Sequence, residues 1–172
     1  LSVATHHDQM PVDFDLYLPE SWASDPDRRR TARIHNELQF KTKPQLALDM
    51  LRRAVKDKVP KGVVLADAAY GSSSGFRSEV RNLRLHYAVG VDSQTKVWLL
   101  DPNTQLPAAR QDLRSLAREL DRGGGFRRCT WREGTKHDLS ARFAAQRIVV
   151  AADDGRLLEE REHEWLFIEW RD

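Results

Sequence analysis

Apolar and polar positions alternate along this chain in two rhythms. Val63-Val64-Leu65-Ala66 is a continuous apolar run that delivers one carboxylate, Asp67, and then breaks at Ala68-Ala69-Tyr70-Gly71. A short run with β-branched residues predicts a strand buried on both faces, as in a parallel or mixed sheet. Pro11 to Leu18 alternates instead, with Val12, Phe14, Leu16 and Leu18 on one side and Asp13, Asp15 and Tyr17 on the other. That spacing predicts a half-buried strand, ended by Pro19. Leu1 to Thr5 reads as the tail of another strand, and Arg28 to Leu38 as a short surface helix.

Helical spacing is clearest over Lys43 to Asp57, where Leu48, Leu51 and Val55 recur with Ala47 and Ala54 beside them. Thr42 stands where it caps the first turn, and Pro44 falls where no backbone donor is needed. Lys56 and Lys58 lie near the carboxyl end, which the helix dipole favours. A serine-rich loop, Ser72-Ser73-Ser74-Gly75, leads into a helix with Phe76, Val80 and Leu83 on one face, and Tyr87 to Val91 follows as a strand. Helix then strand, twice in succession, predicts an α/β layer with crossovers.

After Asp92 the pattern changes. Lys96 to Leu100 reads as a strand, Gln111 to Asp121 as a helix with Leu113, Leu116, Ala117 and Leu120 inward, and Gly123-Gly124-Gly125 stops it. Phe126 to Arg132 and Ala141 to Ala151 read as strands, and Asp154-Gly155 as a turn. Glu164 to Trp170 is a last strand that sets Trp165 and Phe167 against Leu166, Ile168 and Trp170. This half is predicted to be mostly antiparallel, with the boundary near Gln94. No internal repeat or low-complexity tract is seen.

Composition narrows the classes. The chain has 172 residues, 40% of them apolar and 31% charged, as is ordinary for a soluble globular protein. No apolar run nears the roughly 18 residues that span a membrane. No basic-then-apolar leader is seen, and the chain starts at Leu1 rather than Met, so an earlier start stays open. Cys129 is the single cysteine, which excludes an internal disulfide and fits a reducing compartment, with the cytoplasm as default.

The net charge of +2 does not by itself argue for nucleic acid. Basic residues do cluster: Arg28-Arg29-Arg30 with Arg33, Lys41 and Lys43; then Lys56, Lys58 and Lys61; then Arg127-Arg128 with Arg132 and Lys136, beside Phe126 and Trp131. Such patches neutralise phosphates, or they are solvated faces balanced by acids. Arg127, Arg128, Arg132 and Lys136 are the best candidates for phosphate contacts.

Asp67 is the leading candidate for chemistry, because a carboxylate at the carboxyl end of a parallel strand sits where sheets of this kind hold ligands. The plainer reading is that it caps the following turn. Asp92 reads as a solvated turn residue. His6-His7-Asp8 has metal-ligand residue types, but neighbours on a strand point to opposite faces. Arg161-Glu162-His163-Glu164 reads as a polar loop before the last strand. Tyr70 either positions substrate or packs beneath the loop. Trp98, Trp131, Trp165 and Trp170 include a candidate base-stacking residue, with core packing the favoured expectation. Cys129 among arginines is expected to be a plain strand residue.

One set of segments, in order, carries a resemblance. These are Leu16-Tyr17-Leu18-Pro19-Glu20-Ser21-Trp22, Arg28-Arg29-Arg30, Phe40-Lys41-Thr42-Lys43-Pro44, Val64-Leu65-Ala66-Asp67-Ala68-Ala69-Tyr70-Gly71 and Tyr87-Ala88-Val89-Gly90-Val91. They continue with Thr130-Trp131-Arg132-Glu133-Gly134-Thr135, Leu139-Ser140-Ala141-Arg142-Phe143-Ala144-Ala145 and Glu164-Trp165-Leu166-Phe167-Ile168-Glu169-Trp170. Their order and spacing resemble the DDE-type transposases of bacterial insertion sequences, in the group with a strand-rich insertion before the catalytic glutamate.

The resemblance implies an α/β fold: a partial RNase H-like core over 1–94 and an inserted, mostly antiparallel β subdomain over 95–172. It implies two aspartates and a glutamate holding Mg²⁺ or Mn²⁺, and DNA, both insertion-sequence ends and target, as partner. It also implies a bacterial, nucleoid-associated cytoplasmic location, with a homodimer as a candidate assembly. Asp67 matches the second aspartate, so it is the expected catalytic and metal-binding residue. The first aspartate lies upstream of the part resembling Leu1, and the glutamate downstream of the part resembling Trp170. The chain is therefore expected to be the middle of a transposase, whose single matching carboxylate lacks the charge and geometry to hold an ion tightly. Members usually have Gly in the position of Arg84, where a left-handed backbone costs another residue ~1 kcal/mol. His35-Asn36 and Lys58 depart from the family's pattern as well.

Two rivals stand beside this reading. One is a non-catalytic DNA-binding remnant of a mobile element. The other is a phosphohydrolase with Asp67 as nucleophile, which requires a second carboxylate two residues on, where Ala69 stands.

Overall fold

A computed structural model describes residues 1–35, 37–132, 139–151, 157–158 and 161–170, with the backbone alone at Trp131 and Arg132. It divides the chain into two units, Leu1–Val91 and Asp92–Asp172.

In the first unit, β1 (Ser2–Ala4) and β2 (Gln9–Pro11) form an antiparallel hairpin. Two short helices follow, α1 (Glu20–Ala23) and α2 (Pro26–Thr31). Helix α3 (Lys43–Lys56) starts with the cap its sequence predicts. The Gln45 N–H donates to Thr42 Oγ1 at 3.4 Å, and the Thr42 N–H donates to Gln45 Oε1 at 2.8 Å. Strand β3 (Val63–Ala66), the one-turn α4 (Ala68–Gly71), α5 (Ser74–Asn82) and β4 (His86–Val89) complete the unit. Leu48 and Leu51 of α3 join Phe76, Val80 and Leu85 in its core, and Val64, Tyr87 and Val89 pack against them.

β3 and β4 are parallel, in register from Val63 opposite His86 to Ala66 opposite Val89. Here the structure corrects one expectation. β3 is not buried on both faces: Val63 is 57% and Leu65 76% exposed. The helices cover only the face bearing Val64, Tyr87 and Val89. An apolar run reports what its residues prefer, not how many layers cover them.

A second correction concerns Pro11 to Leu18. Only Gln9–Pro11 pairs as a strand; beyond it, the N–H groups of Val12 and Asp13 both donate to the Leu1 carbonyl, at 3.0 and 3.3 Å. The alternation is not kept: Phe14 is 91% exposed and Leu16 75%, while Val12 and Leu18 are half-buried. Arg53 of α3 donates to Asp13 Oδ2 at 2.7 Å and to Asp15 Oδ2 at 3.3 Å, and this charge pairing ties the segment to α3.

The expected surface helix over Arg28 to Leu38 is shorter and earlier, since Asp25 caps α2 and Arg33 ends it with φ 53°. Lys58 (φ 59°) and Arg84 (φ 56°) end α3 and α5 in the same left-handed way. Beyond α5, the Arg84 N–H donates to the Arg81 carbonyl at 2.7 Å and the Leu85 N–H to the Val80 carbonyl at 3.2 Å. This is the two-bond helix stop that glycine makes most easily, so the left-handed backbone expected at Arg84 is present.

Among the described residues, the second unit is a five-stranded antiparallel sheet with one α-helix. Its elements are β5 (Lys96–Leu100), β6 (Pro107–Asp112), α6 (Leu113–Arg122), β7 (Arg127–Arg132), β8 (Leu139–Val150) and β9 (His163–Trp170). β8 is its spine: β5 and β7 share one edge and β9 runs along the other. Strand β6 was not expected, and it takes Gln111 and Asp112 from the predicted helix. Pro107-Ala108-Ala109-Arg110-Gln111-Asp112 has no apolar period to announce a strand, and it pairs only with β5. Asp112 then caps α6, accepting the Ser115 N–H at 2.8 Å. Leu113, Leu116 and Ala117 are buried, and Gly124 (φ 69°) ends the helix.

β9 alternates as its sequence predicts. Leu166 is buried and Ile168 and Trp170 half-buried, while Trp165 is 62% and Phe167 71% exposed. Core packing of Trp165 is therefore corrected: it stands on the outward-facing side of an edge strand. The predicted turn at Asp154-Gly155 lies outside the described residues.

Candidate functional site

Asp67 is the first residue past β3, at the carboxyl end of a parallel pair. The sequence folds sharply here because two glycines meet. A Cβ added to the buried Gly71 would lie 2.0 Å from the Gly90 carbonyl oxygen and 2.7 Å from Val89 Cβ. The Gly90 N–H in turn donates to the Ala66 carbonyl at 2.9 Å, extending the ladder one residue past β4. From α5, the buried Arg77 donates to the Gly71 carbonyl. The Tyr70 ring lies against Phe76, tilted by 54° with centroids 5.9 Å apart, and is half-buried against the core, so it packs beneath the loop. These contacts fix the turn that carries Asp67.

The aspartate itself is exposed. Oδ1 accepts the Ala69 N–H at 2.9 Å and so caps α4, which is the plainer of its two sequence readings. Oδ2 has no hydrogen-bond partner among the described residues. Capping and ligand binding are compatible, because a carboxylate that spends one oxygen on its own loop keeps the other, well oriented, for a cation or donor. The donor set for a metal is another matter. Among the described residues, no three His, Cys, Asp or Glu side chains converge as an ion requires. Asp67 offers one hard oxygen ligand where Mg²⁺ takes one or two carboxylates besides substrate oxygens and waters. The described residues do not by themselves fit a metal ion.

Asp92 accepts the Gln94 N–H at 2.7 Å, as a turn residue does. His6-His7-Asp8 forms the turn between β1 and β2, where Thr5 Oγ1 accepts the His7 and Asp8 N–H groups at 3.2 and 3.1 Å. Neither contributes to a metal-binding group among the described residues. Cys129 is exposed on β7.

The basic candidates separate by their partners. Arg28 and Arg30 pair with Asp25 and Asp27 at 3.2 and 3.3 Å, and Lys41 with Asp49 at 2.7 Å. Arg29 donates to the carbonyls of Ala23, Leu38 and His35, which makes it a clamp on its own loop. The first basic stretch is thus largely a balanced face, and exposed pairs of this kind are worth ~0–1 kcal/mol each. On β7, Arg127 lies opposite Phe143 and Arg128 opposite Arg142. As adjacent strand residues they point to opposite faces of the sheet. Arg128 donates to Ser140 Oγ at 3.3 Å. Only the backbone of Arg132 is described, and Lys136 lies outside the described residues. Arg147, which basic clustering overlooks because it has no charged neighbour in sequence, lies 5.7 Å over the ring of Trp165. The strand period would have found it, since Arg147 pairs with Trp165 across β8 and β9.

Among the described residues no helix is long and apolar enough to cross a membrane. In comparison with known proteins, the family model described as DDE superfamily endonuclease matches residues 1–138. Neither the curated proteins nor the solved structures return a match.

Proposed function

Because the chain belongs to the DDE superfamily endonuclease family, we propose that it acts in the cutting and joining of DNA strands at insertion-sequence ends, with Asp67 as one of the carboxylates that hold the divalent ions. The observation that carries this reading is the position of Asp67. It stands exposed at the carboxyl end of a parallel strand, on a turn held by glycine packing and by Arg77, with one carboxylate oxygen taken by the Ala69 N–H. On this reading 1–94 belongs to an RNase H-like core and 95–172 to a strand-rich insertion. Arg127, Arg128, Arg132 and Lys136 contact phosphates, and the protein works in the bacterial cytoplasm on nucleoid DNA. Since the carboxylates among the described residues do not make a complete ion site, the ions require further ligands besides Asp67.

The test is Asp67→Asn in the full open reading frame that contains these residues. Asparagine keeps an oxygen for the Ala69 N–H and therefore the cap, but loses the charge. Expected is loss of Mg²⁺- or Mn²⁺-dependent nicking of supercoiled DNA, with DNA binding and the circular-dichroism spectrum unchanged. A variant that nicks at the wild-type rate overturns the assignment. A second reading, a DNA-binding protein without catalysis, is favoured by the lack of converging carboxylates among the described residues. It predicts metal-independent binding and no nicking by the wild type.

A further inference from the structure

The second unit carries a surface of which the endonuclease reading uses Arg127 alone. Directly paired residues on β8 and β9 share a face, so one side of the sheet carries Phe143 opposite Glu169, Ala145 opposite Phe167 and Arg147 opposite Trp165. Arg127 joins the first of these rows from β7. The other side carries Leu166 and Ile168, with Ala144 and Ile148, and is turned inward. Along the β9 edge of the outward face, Trp165 and Phe167 are 62% and 71% exposed. Their ring centroids are 6.5 Å apart and their planes 30° from parallel, so the two rings form one aromatic strip. Ala145 opposite Phe167 leaves room above that ring. The Arg147 guanidinium lies 5.7 Å over Trp165. Neither Arg127 nor Arg147 makes an ion pair or a side-chain hydrogen bond among the described residues.

We propose that this face is a binding platform for single-stranded nucleic acid, with bases stacked on Trp165 and Phe167 and the backbone phosphates drawn to Arg147 and Arg127. The chemistry selects that ligand. Aromatic rings on an open sheet offer π-faces to planar bases, and every base has a face to return. The bases of a duplex are stacked on each other and closed to such rings, so unpaired strands are preferred. Arginines at the two ends of the strip supply the charge that a polyanion requires, and a guanidinium beside an aromatic ring can stack on a base as well as pair with phosphate. Two large aromatics so exposed on an edge strand are also a liability for aggregation, and a ligand that covers them removes it. The proposal takes from the reading above its ligand class, nucleic acid, and the phosphate contact of Arg127, and does not depend on Asp67.

The test is the fluorescence anisotropy of a labelled oligothymidylate of about 12 nucleotides, within the ordinary site size of one such surface, titrated with the 172-residue chain. Expected is binding that an unlabelled single strand competes away and a duplex of equal length does not. Trp165→Ala and Phe167→Ala should each weaken it between about fivefold and about a hundredfold, the range that loss of one stacked base gives. Both residues are exposed, so the variants should fold, and a thermal melt checks that they do. Phe167→Leu against Phe167→Tyr guards the result: leucine keeps apolar bulk without a π-face and should lose affinity, while tyrosine should retain it. Arg147→Ala should lower the slope of log affinity against log salt by ~0.7, one single-strand phosphate contact. Wild-type affinity in Phe167→Leu overturns the proposal, as does equal competition by duplex. So does a loss of self-association in Trp165→Ala with oligonucleotide binding intact, which would mark the face as a contact between copies of this chain. Asp67→Asn should bind the oligonucleotide as the wild type does, so a failure of one assignment leaves the other standing.

Discussion

Each unit of this chain leaves one face of a sheet open, and the two open faces differ in kind. In the first unit the face holds Val63 opposite His86 and Leu65 opposite Ala88. Aliphatic side chains gain from being covered by almost anything apolar, since the hydrophobic effect has no direction. In the second unit the open face holds Trp165, Phe167 and Arg147, whose π-faces and fixed donors discriminate among ligands. Exposure is therefore a poor guide by itself. Leu65 at 76% and Phe167 at 71% are almost equally bare, yet only the second sits in a set of side chains with chemistry to offer.

The sharpest way to separate the units is to damage one. Gly71 has no space for a methyl group, because its Cβ would stand 2.0 Å from the Gly90 carbonyl oxygen. That neighbour is backbone and cannot swing aside. Gly71→Ala should therefore cost the first unit about 3 kcal/mol or more, at the upper end of overpacking effects. Amide hydrogen exchange reads the result: protection in β3 and β4 should fall while that in β8 and β9 stays. Gly62→Ala, with nothing within 4 Å of the added carbon, is the matched control and should change little. Equal loss of protection in both units would show that they do not stand apart energetically.

A smaller contrast lies at the helix ends. α2, α3 and α5 stop with Arg33, Lys58 and Arg84 in left-handed backbone, whereas α6 stops with Gly124. A side chain in that conformation costs roughly 1 kcal/mol, which glycine avoids. Arg84→Gly should stabilise the first unit by about 1 kcal/mol, and Gly124→Ala should destabilise the second by a similar amount. Chemical-denaturation midpoints of the two variants should shift in opposite directions. Shifts of the same sign would mean that Arg84 gains from its charge near the helix carboxyl end more than its backbone loses.

Local rules were the part of the fold that the sequence made legible. The cap at Thr42, the helical face of Leu48 and Leu51, the stop at Gly123-Gly124-Gly125 and the alternation in β9 all rest on neighbours within a few residues. What failed depended on partners far along the chain. Whether Val63 and Leu65 are covered depends on layers that an apolar run does not encode, and β6 exists only because β5 offers it an edge. Asp13 and Asp15 are tied to α3 because Arg53 lies 40 and 38 residues away in sequence and beside them in space. At the candidate site, the sequence identified Asp67 and the strand that presents it. It did not reveal the Gly71–Gly90 contact that shapes the turn, nor the pairing of Arg147 with Trp165.

The finest contrast between the units is how their carboxylates are held. In the first unit the Arg53 guanidinium lowers the pKa of Asp13, the Lys41 ammonium that of Asp49, and the Arg52 guanidinium that of Glu79. In the second, Asp101 is lowered chiefly by the N–H groups of Thr104 and Asn103, and Asp112 chiefly by the N–H of Ser115. The sign is the same throughout. A carboxyl group whose folded pKa lies below its unfolded value stabilises the fold fully above the unfolded value, about 4, and loses that contribution as pH falls through the folded one. Acid should thus weaken both units below about pH 4. Salt should tell them apart, because it screens exposed charge pairs and leaves short hydrogen bonds from a fixed backbone largely intact. In a carboxyl-carbon NMR titration at low and high ionic strength, the midpoints of Asp13, Asp49 and Glu79 should rise toward ordinary values with salt. Those of Asp101 and Asp112 should move less, the residual shift at Asp112 reflecting Lys96, which lies 3.6 Å from its Oδ2. If all five moved together, the two units would be held by one kind of electrostatics rather than two.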